Sequence, residues 1–160
     1  MSQYEFSTEI VGLPSQGKCY PETNPLSSGN IELKYMTARE EEILSSQSLI
    51  KKGVVLDKLF EAIIVDKKVN PDDILLGDKN AIMLATRILG YGPEYKIEIL
   101  DDNDTKQQVT VDLGKVQTKD IDTEVLNSEN LYKFTLPSNG KEIEFKLLTH
   151  GDEQEITKET

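Results

Sequence analysis

Three short stretches of this chain have the residue types and spacing of chemical sites. Gly12-Leu13-Pro14-Ser15-Gln16-Gly17-Lys18-Cys19 has the spacing G-x-x-x-x-G-K, in which backbone N–H groups cradle phosphates and the lysine reaches the terminal ones. Cys19 stands where a Ser or Thr hydroxyl should hold Mg²⁺, and Pro14 deletes one donor of the cradle. The helix that should aim its N-terminus at the phosphates is replaced by Pro21 and Pro25. The same stretch is near the sorting signal Leu-Pro-x-Thr-Gly, but Gln16 stands at the threonine and no apolar tail follows.

Asp101, Asn103, Thr105 and Asp112 fall at positions 1, 3, 5 and 12 of a calcium-loop pattern. Lys106 replaces the glycine of its sharp turn, and residues 107–113 alternate like a strand, so a solvated hairpin tip is expected instead. Glu40-Glu41-Glu42 is the third stretch. Its place at a helix start is explained by the helix dipole, and nothing nominates a catalytic carboxylate pair. His150, the only histidine, reads as an exposed loop residue, since no G-x-S-x-G nucleophile motif exists. With Cys19 alone it is too little for a protein-only zinc site. The expectation is therefore no catalytic residue, no metal and no cofactor.

The elements that hold these stretches read as follows. Residues 1–30 form an extended N-terminal arm, because Pro14, Pro21 and Pro25 among Gly12, Gly17 and Gly29 exclude a long helix. Leu13, Tyr20 and Leu26 give the arm apolar anchors, so it is expected to lie along something. Residues 31–92 form a small helical lobe. Ile31 to Met36 alternates like a strand, and Thr37 with Glu40 has capping-box spacing. Leu56, Leu59, Phe60, Ile63 and Ile64 make one apolar helix face. Asn70-Pro71 opens a short turn, and Asp78 is expected to cap a third helix, Lys79 to Leu89, that is apolar almost all round. Such a helix is central or covered by a partner, which leaves a homo-oligomer open.

Residues 93–149 change to strand period. Tyr95, Ile97 and Ile99 alternate toward Val109, Val111 and Leu113, and Tyr132, Phe134 and Leu136 toward Ile143, Phe145 and Leu147. Asn139-Gly140 marks the second hairpin tip. Residues 150–160 read as a polar tail or a helix start. The fold class is thus α+β: a small helical lobe, then antiparallel β-hairpins, with an extended N-terminal arm.

The 160 residues carry 29 Asp and Glu against 18 Lys and Arg, a net charge of −11. That charge repels phosphate backbones and anionic bilayers, so neither nucleic acid nor membrane is an expected partner. No apolar run is long enough for a bilayer, and Met1 to Phe6 lacks the basic and apolar regions of a signal peptide. One unpaired cysteine fits a reducing cytoplasm.

In order along the chain stand Tyr4-Glu5-Phe6, Gly12 to Gly17, Tyr20-Pro21, Asn24 to Gly29, Leu33 to Leu44, Ile50 to Gly53, Gly77 to Ile82 and Leu147 to Thr149. Taken together, these motifs resemble the baseplate hub assembly proteins of T4-type contractile-tailed bacteriophages, most densely between residues 12 and 92. The resemblance implies a non-catalytic late protein, made in the host cytoplasm. It would act in tail baseplate assembly as a hub component that enters the virion or as a chaperone that leaves before the virion is complete. Its partners would be other hub or wedge proteins. Family members often carry a Cys-x-x-Cys-like pair in the first hairpin. Asp101 to Asp104 stand there in this chain, so no metal site is inherited. Members also often run longer at the C-terminus, which makes this chain a short member or a fragment. The arm and the strand after it supply the expected partner contacts: Leu13, Pro14, Tyr20, Pro21, Leu26, Tyr35 and Met36. The competing expectation, a small-ligand or nucleotide-binding protein, would use residues 12–19.

Overall fold

The computed structural model describes residues 7–159, so Tyr4-Glu5-Phe6 and Thr160 lie outside the described residues. The fold is α+β, with five helices and three two-stranded antiparallel sheets among the described residues. β1 (Thr8–Gly12) pairs with β2 (Asn30–Lys34), Ile10 opposite Glu32 and Gly12 opposite Asn30. The seventeen-residue excursion between them is closed by Leu13 N–H donating to the Gly29 carbonyl at 2.8 Å. It folds back over the protein's own core, where Leu13, Cys19, Tyr20 and Leu26 are buried. The arm is therefore extended at β1, and what its anchors lie along is this chain's helical lobe.

α1 (Ala38–Ser45) starts where the capping box places it, with the Thr37 N–H and hydroxyl both donating to Glu40 Oε2. Ser46 adopts extended backbone and interrupts the helix, which resumes as α2 (Gln47–Lys52) and stops at Gly53, φ 70°. α3 (Val55–Ile63) buries Leu59, Phe60 and Ile63, the face its periodicity marks. The chain then returns beside β2: Leu33 and Ile64 form an antiparallel bridge, and Val65 N–H donates to the Glu32 carbonyl.

α4 (Leu76–Tyr91) begins two residues before the expected cap, and Asp78 lies inside its first turn with its carboxylate turned away from the helix's own N–H groups. Its apolar circumference is only partly used. Ile82 is buried, whereas Met83 and Tyr91 are exposed. β3 (Glu94–Leu100) and β4 (Lys106–Asp112) form the first hairpin, with Tyr95 opposite Val111 and Ile97 opposite Val109. β5 (Tyr132–Thr135) and β6 (Glu142–Phe145) form the second, with Tyr132 opposite Phe145 and Phe134 opposite Ile143. α5 (His150–Glu159) completes the helix start read at the C-terminal end, tied to the beginning of α4 by a Leu75–Thr149 bridge.

The buried apolar side chains all lie between Leu13 and Ile82. No residue from 94 to 148 is buried. The hairpins are regular in register, and their apolar faces are half-buried or exposed.

Candidate functional site

Asp78 organises the stretch that has phosphate-loop spacing. Its carboxylate is 1% exposed and accepts three hydrogen bonds. Ser15 N–H donates to Oδ1 at 3.0 Å, and Ser15 Oγ and Tyr20 Oη donate to Oδ2 at 2.7 and 2.6 Å. Tyr20 Oη also accepts the Leu75 N–H at 3.0 Å, and Ser15 Oγ accepts the Gly17 N–H at 3.2 Å. Burial and the adjacent Asp78 carboxylate push the Tyr20 phenol well above its ordinary range.

This network decides what the loop's donors do. Ser15 N–H is taken by Asp78, Leu13 N–H by Gly29, Gln16 N–H by Leu13, Gly17 N–H by Ser15 Oγ and Lys18 N–H by Ser15. Pro14 has none. Lys18 Nζ donates to Thr123 Oγ1 at 2.9 Å, away from Asp78. Gly17 and Gly29 serve a close backbone crossing: a Cβ on Gly17, at φ 77°, would stand 2.3 Å from the Ser27 carbonyl oxygen. The group that this loop holds is an internal side chain, that of Asp78.

The other candidates resolve locally. At the β3–β4 tip, Asp101 Oδ1 accepts the N–H groups of Asn103 and Thr105, both at 2.9 Å. Those backbone donors hold the Asp101 carboxyl below its ordinary value. Asp112 is diverted to the Gly114 N–H. Among the described residues no cluster of His, Cys, Asp and Glu could hold a metal ion. Burial pushes the Glu40 carboxyl up, but hydrogen bonds from Lys34, at 2.8 Å, and from Thr37 outweigh it and hold the group down at about 2.

His150 is a correction to the sequence reading. It is 4% exposed, opens α5, and its Nε2 lies 2.7 Å from Asp57 Oδ1. Its ring meets the edge of Phe60 at 5.6 Å between centroids, and Gln154 Nε2 donates to the same Asp57 oxygen. Nδ1 has no hydrogen-bond partner and is 3.8 Å from Glu153 Oε2. Glu153 is in turn ion-paired with the buried Lys79 of α4. These contacts seat α5 on α3 and α4. Cys19 is buried with its Sγ 3.6 Å from Tyr132 Oη, and burial raises its thiol pKa, a direction opposite to that of a reactive cysteine.

The seven expected partner contacts divide by burial. Leu13, Tyr20 and Leu26 belong to the core and are not available to a partner. Pro14 lines a mainly apolar cavity of about 260 Å³, together with Leu75, Leu76, Ile121, Leu126 and Leu148. Tyr35 and Met36 are half-buried, Met36 against Gly90, and Pro21 is exposed. Sequence reasoning missed the larger exposed apolar surface. Tyr95 and Ile99 on the first hairpin and Phe134, Ile143 and Phe145 on the second are each 37–51% exposed. The signal was in the topology: two-stranded sheets separated by polar linkers bring no second layer of their own to cover an apolar face. No family model, curated protein or solved structure matches this chain.

Proposed function

We propose that this chain is a non-catalytic assembly protein that works through protein–protein contacts. Its setting is the tail baseplate of a contractile-tailed bacteriophage, where it serves as a hub component or assembly factor. One observation carries the contact role: both β-hairpins present an apolar face that is largely exposed, covered only at its root by Arg87 against Tyr95 and by Cys19 against Tyr132. Exposed apolar faces of this kind mark interaction surfaces, and hairpin edges left unpaired add backbone donors and acceptors. The ordered motifs between residues 4 and 149 supply the setting. The commitment of the loop's backbone N–H groups to Asp78, Gly29, Leu13 and Ser15 supports a structural role for residues 12–19 over nucleotide binding. The net charge of −11 favours protein over nucleic acid as partner. Among the described residues no helix is long and apolar enough to cross a membrane; assembly in the host cytoplasm is part of the same proposal and rests on the ordered motifs.

Co-expression with baseplate hub and wedge proteins, followed by pull-down, tests this reading. A complex with at least one of them is expected, and none with any would overturn it. Mass spectrometry of purified virions then separates a resident hub component from a chaperone that leaves.

A further inference from the structure

We propose that the apolar face of the β3–β4 hairpin, together with Arg87 and Tyr91 at its root, docks a different protein that presents an apolar strip flanked by lysine or arginine side chains. This rests on the assembly reading and adds the surface and the chemistry of its partner.

Strand register puts Tyr95, Ile97 and Ile99 on the same face as Val109 and Val111, with Lys96, Glu98, Gln108 and Thr110 on the other. From Tyr95 to Ile99 the strip runs about 13 Å at the usual strand rise. Tyr95 and Ile99 are each 44% exposed, and an isolated two-stranded hairpin is marginal in water unless its face is covered. The root of the strip is already ordered. The Arg87 guanidinium lies 4.8 Å from the Tyr91 ring centroid and 5.5 Å from that of Tyr95, and it donates to the carbonyls of Gly92 and Glu94. Tyrosine and arginine carry a disproportionate share of binding energy in interfaces, and side chains fixed beforehand lose less entropy on binding.

Charge selects the occupant. Residues 94–112 hold six carboxylates against the two lysines Lys96 and Lys106; Asp101, Asp102 and Asp104 cluster at the tip of the strip, whereas Glu94, Glu98 and Asp112 lie on the opposite strand face. Lys106 is paired with Glu98, and Lys115 beyond the strand with Asp112. Asp102 and Asp104 at the tip have no cationic partner among the described residues. A second copy, also at net −11, would bring like charge to the acidic tip that ends this strip. A partner with flanking cations gains where a second copy loses. The other hairpin offers no such selection, because Lys133 already pairs with both Glu142 and Glu144.

The test titrates the full chain against each purified hub and wedge protein by calorimetry at low and high salt. Tyr95→Ser/Ile99→Ser is expected to weaken binding by roughly tenfold or more, with Phe134→Ser/Ile143→Ser as the comparison on the other hairpin. Asp102→Lys/Asp104→Asn, which removes both exposed tip carboxylates and keeps at 104 a residue type that tolerates its left-handed φ of 56°, is expected to weaken binding at low salt and flatten its salt dependence. Unchanged binding in both β3–β4 variants, or loss only in the Phe134/Ile143 variant, would overturn the surface while leaving the assembly reading standing. Absence of binding by the unaltered chain to every hub and wedge protein would overturn both. A dimer seen by light scattering and dissolved by Tyr95→Ser/Ile99→Ser would give the face to a second copy and overturn the assigned partner.

Discussion

Between residues 13 and 82 the apolar patterns of β2, α3 and one side of α4 supply a buried core; between 94 and 148 an equally regular alternation buries no residue. Phe60 and Phe134 make the contrast concrete. Phe60, on α3, is 0% exposed among Leu33, Ile63 and His150, whereas Phe134, on β5, is 51% exposed opposite Ile143. Periodicity determines which residues share a face. Whether that face is covered depends on a second layer, and here the first region has one and the hairpins do not. The folded lobe therefore supplies stability, and the hairpins supply surface.

The largest test of that division is Phe60→Ala, expected to cost about 4 kcal/mol by urea denaturation because it empties a packed site. Phe134→Ala should cost less than about 1 kcal/mol, reflecting one cross-strand neighbour. Equal costs would break the division. Asp78→Ala follows, at about 3 kcal/mol, since it leaves the Ser15 and Tyr20 donors buried and unpaired. Asp78→Asn, which keeps an acceptor oxygen, should lose less. An Asp78→Ala protein as stable as the parent would show that the loop is not held in this way.

Glu40 gives a smaller effect that depends on pH. Its folded value of about 2 lies below the ordinary 4.5, so its contribution is fully present above about pH 4.5 and is lost as pH falls toward 2. The stability gap between the parent and Glu40→Gln should therefore narrow across that window. A gap constant between pH 6 and about 3 would remove Glu40 as the cause.

Much of the frame was legible. The amphipathic face of α3, the Thr37–Glu40 box and both hairpins are local patterns, and each formed where its pattern lies. What stayed hidden depends on partners far along the chain. Asp78 in a first turn reads as a cap, yet its donors are Ser15 and Tyr20, 63 and 58 residues away. His150 reads as a loop residue, yet Asp57, 93 residues away, draws it into the core. α2 is six residues long and buries none of them, so it carries no apolar face to mark it, and an extended Ser46 separates it from α1. The partner-contact residues illustrate the same limit. Leu13, Tyr20 and Leu26 were rightly marked as anchors, but only the fold reveals that they anchor the chain to itself.

Amide hydrogen exchange on the free chain tests the division between core and surface most directly. Amides of β2, α3 and the buried side of α4 are expected to exchange only through global unfolding, and those of β3, β4, β5 and β6 much faster, through local opening. Uniform protection across residues 94–148, matching that of α3, would mean that the hairpin faces are already covered in the free protein and would contradict their proposed role as docking surface.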